Sequence, residues 1–393
     1  MTLGTDREGE ALEILEFPEV VLIQILSYFD ASTLGKLSQV CRFFNRFITQ
    51  DRVWKRFYSQ QTIYTSYCGR PGSSSCRKLK DKCRVGLNWK RGNFHEVRLT
   101  STTRQMPWLQ IVGDQIYVSH NNLIHCYRLT KKGTLQQLMN RTLNGHTEDV
   151  SRFICKDDKI VSGCVGNYIC GFNLRTGTRL FKVESCHNSD ITDVDFYNSF
   201  VVSGSKDSTV KLWNMGDDKL EAKSTINVND RVWSVAISPN GSMFVTGTAG
   251  LNGVPPLRVW DINRAEMVCP LEDIPRNGAG ILDLQFETPH TLLSCGYDTY
   301  IRLWDMRVKA CVQKWEEPFD QTVYCTQRYG EYAILSGTAR YGMARLWDKR
   351  MSHPIQMYYP KRATSPVYSL ACTSSYLYLA LDRGIHMLDF TIH

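Results

Sequence analysis

Short apolar runs separated by turn residues recur along most of the chain. Many of these runs alternate apolar and polar positions, as strands with one buried face do. The units align on one apolar position each: Tyr127, Phe172, Trp213, Trp260, Trp304, Trp347 and Leu388. Successive positions are 45, 41, 47, 44, 43 and 41 residues apart. A period of about 40 to 45 residues with several short strands is typical of propeller blades. Seven units therefore predict an all-β, seven-bladed propeller over residues 93–393.

The last unit lacks a fourth strand. Three residues follow Phe390, too few for a strand, whereas a strand-like run at residues 94–100 precedes the first unit. We expect this run to complete the last blade, so that the first and last elements of the propeller pair and leave no exposed edge.

The third unit has the residues for a hydrogen-bond chain inside one blade. These residues are His187, Ser203, Asp207 and Trp213. They resemble the structural tetrad of WD repeats, which ties a loop, two strands and an indole N–H together. A histidine beside a serine and an aspartate also occurs in hydrolases. Because parts of the set recur with the repeat, as at His146 with Ser162, we interpret it as scaffold.

Residues 15–58 follow a helical pattern instead. Pro18 can open a first helix, where proline is tolerated, and its stripe is Leu22, Ile25, Leu26 and Phe29. A second helix is predicted from Ser32, with the stripe Leu34, Leu37, Cys41, Phe44 and Ile48. A third begins at Asp51 and carries Trp54 and Phe57. So short a segment cannot bury this many large apolar groups alone, so it either packs on the propeller or docks on a partner.

The helical segment resembles the F-box. The resemblance is carried by Phe17-Pro18-Glu19, residues 25–30, Leu34, Leu37, Val40-Cys41-Arg42 and Val53-Trp54. Phe17 stands where the motif usually has Leu, and Phe44 stands where Trp is common. An N-terminal all-α F-box domain, a linker and a WD-repeat propeller is the order of the F-box/WD-repeat substrate receptors. The chain is similar to that family over residues 15–390.

The resemblance implies a substrate-recognition subunit of an SCF (Skp–cullin–F-box) E3 ubiquitin-protein ligase. The F-box would dock on the Skp adaptor of the cullin–RING core through Phe17, Pro18, Leu22, Ile25, Leu26, Leu34, Leu37, Val40, Cys41 and Trp54. The propeller would hold a phosphorylated protein substrate for ubiquitination and degradation. No catalytic residue is expected, because such a receptor acts by bringing a lysine close to the ubiquitin thioester.

Four residues are predicted to contact the substrate. Arg231 lies where a strand enters a blade, and Lys206, Tyr297 and Arg340 lie in turns between the second and third strands of their blades. These positions lie on one face of a propeller. Arginine and lysine there suit phosphate through charge-assisted hydrogen bonds.

Composition and charge exclude several other functions. Apolar residues make up 42% and charged residues 22% of the chain, which excludes wholesale disorder. Of the net charge of +8, +7 falls in residues 70–91, within a basic linker predicted at 59–92, so we expect no nucleic-acid partner. The acidic residues 1–14 are predicted to be a flexible N-terminus, and the start of the chain resembles no secretory signal. We expect a protein of the cytoplasm, with the nucleus as an alternative, and no membrane partner.

The cysteines and the sequence motifs indicate neither a metal nor a cofactor. Fourteen cysteines are scattered without a Cys-x-x-Cys pair, so free thiols are expected and a metal site is not. The chain lacks the common hydrolase, metalloprotease, P-loop and dinucleotide motifs. We therefore expect no cofactor and no enzyme activity.

Two alternatives remain open at this stage. Trp304-Asp-Met-Arg307 and Trp347-Asp-Lys-Arg350 fit a pattern that resembles receptors of Cullin-4 ligases. Arg307 and Arg350 would then bind a second adaptor, unless they form ordinary surface ion pairs. The other alternative is a propeller scaffold whose F-box engages no ligase.

Overall fold

The computed structural model describes residues 17–59, 78–99, 106–130, 134–275, 277–361, 364–382 and 384–392. The predicted flexible segment 1–14 and the first part of the predicted linker lie outside these residues. The chain divides into two compact units, residues 1–88 and 89–393. We call them the helical unit and the propeller.

The described residues form five α-helices. They are α1 (Glu19–Leu26), α2 (Ala31–Leu37), α3 (Arg42–Ile48), α4 (Asp51–Ser59) and α5 (Leu79–Arg91). The predicted second helix is wrong in extent, because it is two helices, α2 and α3. Asp30, rather than Ser32, caps α2 by accepting a 2.6 Å hydrogen bond from the Thr33 N–H. Cys41 is extended, at φ −153°, and this ends the helical path before α3.

One side of each helix packs into the core of the helical unit. Its buried side chains are Leu22, Leu26, Leu34, Phe44, Phe47, Ile48, Val53, Trp54 and Cys83. The indole N–H of Trp54 donates to the carbonyl of Ile48 at 2.6 Å. No helix in the described ranges is long and apolar enough to cross a membrane.

The second half of the predicted linker is a helix. Cys83 of α5 lies in the core of the helical unit, and Asp51 accepts a 2.8 Å hydrogen bond from the N–H of Leu79 at the start of α5. The basic residues of this segment therefore lie largely on an ordered helix. The prediction missed it because charged positions outnumber apolar ones in α5, so its apolar stripe is short.

The propeller consists of short antiparallel strands. In chain order they are β1 (His95–Arg98), β2 (Leu109–Val112), β3 (Gln115–His120), β4 (Leu123–Leu129), β5 (Leu135–Gln137), β6 (Leu143–Asn144), β7 (Val150–Lys156), β8 (Lys159–Cys164), β9 (Ile169–Asn173), β10 (Arg179–Val183), β11 (Ile191–Tyr197), β12 (Phe200–Ser205), β13 (Thr209–Met215), β14 (Leu220–Asn227), β15 (Val232–Ile237), β16 (Met243–Thr248), β17 (Leu257–Asp261), β18 (Met267–Pro270), β19 (Ile281–Thr288), β20 (Thr291–Gly296), β21 (Tyr300–Asp305), β22 (Ala310–Glu316), β23 (Val323–Tyr329), β24 (Ala333–Thr338), β25 (Ala344–Asp348), β26 (Pro354–Tyr358), β27 (Ser369–Cys372), β28 (Tyr376–Leu381) and β29 (Gly384–Asp389).

These strands build seven blades, which confirms the predicted fold. Blade 1 contains β2 to β5, with β6 paired to β4, and blades 2 to 6 take four consecutive strands each, from β7 to β26. Blade 7 contains β27, β28 and β29, and its fourth strand is β1. Val97 of β1 pairs with Met387 of β29, which confirms the predicted closure.

Trp89 anchors the start of the propeller on blade 7. Its ring stacks on Phe390 with the centroids 3.8 Å apart, and its indole N–H donates to the carbonyl of Ser374 at 3.1 Å. The hydroxyl of Tyr358 donates to the carbonyl of Trp89 at 2.6 Å. The chain is thus fixed just before β1, the strand that closes the ring.

The first strand of each blade lines the central channel. In five of these strands the pairing register shifts after the first residue, and the bulged residues are Ser151, Thr192, Trp233, Leu282 and Tyr324. We call the end of the propeller where these strands begin the top face. It also carries the turns between the second and third strands of each blade.

Candidate functional site

Large apolar side chains remain exposed on the helical unit. They lie at the start of α1, in the turn after it, and around the start of α3: Val20, Val21, Tyr28, Phe29, Val40 and Phe43. Val20, Tyr28 and Val40 are 77%, 79% and 70% exposed. Phe43 also lines a groove of about 370 Å³ with Phe17. Several large exposed apolar groups on so small a unit are typical of a surface that binds a protein partner.

The predicted adaptor-binding residues divide into two groups. Pro18, Val40 and Cys41 are exposed, and Phe17, Ile25 and Leu37 are half-buried. The other four are 3% exposed or less, in the core of the unit: Leu22, Leu26, Leu34 and Trp54. Direct contact of these four with an adaptor is therefore corrected to a supporting role. They hold the helices that carry the exposed residues.

Of the four predicted substrate contacts, three are exposed and one is already paired. The Lys206 ammonium lies 2.7 Å from an Asp190 carboxylate oxygen. Tyr297 is 42% exposed, and Arg231 and Arg340 are exposed without an ion pair to another described residue. The two arginines are therefore the top-face cations best placed to meet an anion on a partner.

Three further arginines face the top loops, but their side chains already bind groups of the propeller itself. Each lies two residues before the repeat tryptophan of its blade: Arg258, Arg302 and Arg345. Arg258 donates to the carbonyl of Val228 at 2.7 Å, and Arg345 donates to Glu317 at 2.7 Å. Their side chains anchor the loops that enter blades 4 to 6.

The predicted hydrogen-bond chain of blade 3 has the expected geometry. The hydroxyl of Ser203 lies 2.8 Å from His187 Nε2 and 2.9 Å from Trp213 Nε1. His187 Nδ1 lies 3.2 Å from Asp207. Burial lowers the pKa of His187 to about 4, although Asp207 opposes this shift. The imidazole is therefore neutral at physiological pH and serves as scaffold.

Arg152 crosses the central channel. It starts on blade 2 and lies 3.1 Å from Asp193 of blade 3 and 3.6 Å from Asp283 of blade 5. Its guanidinium also donates to the carbonyl of Leu282 at 2.7 Å and lies 4.3 Å from the centre of the Trp108 ring. One side chain of blade 2 thus contacts residues of three other blades.

The two aspartates also join neighbouring blades. Asp193 accepts a 2.9 Å hydrogen bond from the N–H of Val235 in blade 4, and Asp283 accepts one of 2.8 Å from Thr326 in blade 6. Burial raises the pKa of Asp193 to about 7, and Arg152 opposes this shift. A cavity of about 500 Å³ is lined by these channel strands. Within the described ranges, no three metal-ligating side chains are grouped to bind an ion, and every cysteine is a free thiol.

Two family models match the chain. The F-box-like model matches residues 14–60, and the model of the WD domain, G-beta repeat, matches residues 178–214, 221–253 and 271–305. The human F-box/WD repeat-containing protein 4 is 40% identical over 386 residues, covering 95% of this chain and 92% of that protein. The chain belongs to the F-box/WD repeat-containing proteins.

Two further relatives match the chain over different lengths. The mouse F-box/WD repeat-containing protein 4 is 38% identical over 383 residues, covering 95% of this chain and 92% of that protein. F-box/WD repeat-containing protein 4 is also called dactylin, so the sequence resemblance extends beyond the family to one of its members. The rice small ribosomal subunit protein RACK1y is 32% identical over 130 residues, covering 32% of this chain and 36% of that protein.

The Trp-Asp-x-Arg arginines of this F-box/WD protein pair with their own aspartates. Arg307 contacts both carboxylate oxygens of Asp305, at 3.0 and 2.6 Å, and Arg350 contacts those of Asp348, at 2.8 and 2.5 Å. Both follow the third strand of their blades, at the end opposite the top face. This geometry matches the ion-pair interpretation of the two motifs, and nothing in it favours a second adaptor.

Sequence reasoning missed the arginines that anchor the loops of the top face. Arg258, Arg302 and Arg345 occur in Leu-Arg-Val-Trp, Ile-Arg-Leu-Trp and Ala-Arg-Leu-Trp. Their constant position before tryptophan was the available signal for a structural role. Arg152 has no such signal, because its partners are 41 to 131 residues away in sequence.

Proposed function

We propose that this F-box/WD protein is the substrate-recognition subunit of an SCF ubiquitin ligase. The single observation that carries the proposal is the exposed apolar surface on an F-box whose own core is already complete. An adaptor that covers Val20, Val40 and their neighbours would bury this area, and each fully buried valine-sized side chain is worth about 1.5–3 kcal/mol. Such a receptor forms no bond itself and works by proximity.

The docking surface is tested by placing charges on it. We expect Val20→Asp and Val40→Asp to weaken binding of the purified Skp adaptor by about 100-fold, because a charge in a desolvated apolar contact costs several kcal/mol. Both positions are exposed, and an acid in the first turn of α1 suits the helix dipole. These variants should therefore fold normally, as helical circular dichroism can verify.

Two control variants define the result. Lys55→Asp makes a larger charge change at another exposed position and should leave adaptor binding intact. Leu26→Asp should instead unfold the helical unit, because Leu26 is in its core. Unchanged adaptor affinity in folded Val20→Asp and Val40→Asp proteins would exclude this docking surface.

We further propose that the top face binds a phosphorylated protein segment. Support comes from Arg231 and Arg340, which are exposed and lack an ion pair among the described residues. Arginine forks match phosphate oxygens in two parallel hydrogen bonds. Tyr297 would contact the segment beside the phosphate, and Lys206 would contribute less because Asp190 already holds it.

The phosphate hypothesis is tested by affinity purification from lysates with and without phosphatase treatment. We expect phosphatase treatment, or Arg231→Gln with Arg340→Gln, to remove the same set of captured proteins. Arg307→Gln is the matched control, since it removes an exposed arginine from the opposite end of the propeller. Substrate capture that survives both treatments would contradict a phosphate determinant and leave the adaptor result unaffected.

A further inference from the structure

Three large apolar side chains are exposed on the top face at blades 4 to 6. Leu251 lies in the turn between β16 and β17, Tyr297 in the turn between β20 and β21, and Phe319 in the loop between β22 and β23. They are 60%, 42% and 63% exposed. Single exposed apolar groups are ordinary, whereas neighbouring ones are typical of a binding surface. We call these three residues the apolar arc.

Backbone hydrogen bonds connect the loops that carry the apolar arc. Each bond joins one loop to the loop before it around the ring, at 2.8 to 3.0 Å between nitrogen and oxygen. The N–H donors and their carbonyl acceptors are Gly278 to Gly250, Tyr297 to Gly280 and Glu317 to Thr299. The three side chains therefore lie on adjoining loops of one surface.

Buried carboxylates hold the backbone at both ends of the arc. Asp230 accepts the N–H of Leu251 at 3.2 Å, and Glu317 accepts the N–H of Phe319 at 2.8 Å. Both acids are 1% exposed, and Arg345 already holds Glu317 from below. Because these loops are ordered in the free protein, binding a partner there costs less conformational entropy.

The two exposed arginines of the top face lie at the ends of the arc. The carbonyl of Arg231 accepts a 2.8 Å hydrogen bond from Ala249, at the start of the first loop. At the other end, the carbonyl of Thr322 accepts a 3.0 Å hydrogen bond from Ala339, the residue before Arg340. The charge of this surface therefore suits a segment that places apolar groups on the arc and an anion beside them.

We propose that the apolar arc binds apolar side chains of the docked substrate segment. The segment would carry leucine, isoleucine, methionine or phenylalanine close to its phosphate, and these side chains would contact Leu251, Tyr297 and Phe319. This subsite deepens the proposed function and rests on it for the identity of the partner. A phosphate alone would leave the arc exposed to water, so the apolar residues add affinity and specificity.

Two peptide libraries test the arc on the full chain. Each library has mixed amino acids around one fixed residue, which is phosphoserine in the first and serine in the second. Peptides retained by the immobilised protein are sequenced. We expect apolar residues to be enriched about fivefold or more near the phosphoserine, because partial burial of one such side chain is worth a factor of this size. Retained peptides without apolar enrichment, or no retained peptides, would overturn the proposal.

Variants locate the selection. Leu251→Ser combined with Phe319→Ser should abolish the apolar enrichment, whereas Phe319→Leu keeps an apolar group and should preserve it. Val308→Ser is the matched control, because Val308 is 63% exposed in a turn at the opposite end of blade 5. Apolar enrichment that survives the double variant would refute the role of the arc. All these positions are exposed, so the variants should fold, as thermal unfolding can verify.

The outcomes separate this subsite from the proposals on which it rests. Equal apolar enrichment with both libraries would support the arc and contradict the phosphate determinant. Retention that requires phosphoserine but selects no apolar residue would support the phosphate and contradict the arc. Binding of the Skp adaptor should be normal in every variant, because none of the substitutions lies in the helical unit.

Discussion

Replacing Arg152 with methionine should destabilise the propeller by about 3–5 kcal/mol. This is the usual cost of removing one partner from a buried ion pair, because the remaining charges lose their compensation. Here two carboxylates, Asp193 and Asp283, are left in the channel with side chains 10% and 9% exposed. Methionine retains much of the packing against Trp108, so the loss reports mainly the charges.

The effect can be measured by urea unfolding followed through tryptophan fluorescence. In thermal unfolding, each kcal/mol shifts the midpoint of a large domain by roughly 2–4 °C. We therefore expect the Arg152→Met midpoint to fall by about 6 to 20 °C. Arg175→Met is the control, because Arg175 pairs with Asp158 at the surface with its side chain 77% exposed, and such pairs contribute about 1 kcal/mol or less.

The loss should depend on pH in a defined direction. Burial raises the pKa values of Asp193 and Asp283, and Arg152 holds both lower than burial alone would. In the folded wild type both carboxyls already bind protons more tightly than in the unfolded chain, so wild-type stability falls as pH rises above about 4, and loss of Arg152 raises both folded pKa values further. The gap between Arg152→Met and wild type should thus widen as pH rises through about 7, where Asp193 loses its proton in the wild type but keeps it in the variant.

A rescue variant separates charge from packing. Adding Asp193→Asn and Asp283→Asn to Arg152→Met removes the uncompensated charges and should recover part of the stability at pH 8. The amide oxygens can still accept the backbone N–H groups of the neighbouring blades. If Arg152→Met is no less stable than Arg175→Met, the ion pairs of Arg152 do not stabilise the propeller.

Two further predictions concern other parts of the propeller. Burial, followed by the charge of Lys182, lowers the pKa of His146 to about 4. Below about pH 6.5 the unfolded chain therefore binds this proton more readily than the folded protein does. The stability should fall by up to about 3 kcal/mol as the pH drops to 4. His146→Gln should flatten urea-unfolding profiles over that range, and an unchanged slope would contradict the assignment. Gly296→Ala should cost about 2 kcal/mol or more in the same assay, because its Cβ would lie 2.0 Å from the Gly280 carbonyl oxygen. Gly216→Ala should cost far less, because its Cβ would come no closer than 3.3 Å to Lys219. Equal losses in the two variants would refute the clash.

The blades and their closure could be predicted because they rest on local patterns. Strand alternation, turn residues and the position of the repeat tryptophan are each properties of a few neighbouring residues. They recur seven times, so a strand misassigned in one unit can be corrected by alignment with the other units. The pairing of Val97 with Met387 followed from counting strands, since a ring leaves one open position for one remaining run.

The division of the F-box between core and surface could not be predicted in this way. In α1, Val20 to Ile23 are four consecutive apolar residues, so the sequence pattern does not say which side faces inward. Packing against α3 and α4 buries Leu22 and leaves Val20 77% exposed. The docking surface is what remains after the core is filled, and that depends on all the helices together.

The contacts in the channel are the feature that sequence reasoning predicts least. Arg152, Asp193 and Asp283 belong to three different blades, and Trp108 precedes the first strand of a fourth. Their neighbours are set by closure of the whole propeller, which brings the first strands of distant repeats to one axis. The repeat pattern determined which residues form the blades, whereas ring closure determined which charged and aromatic side chains meet at the centre.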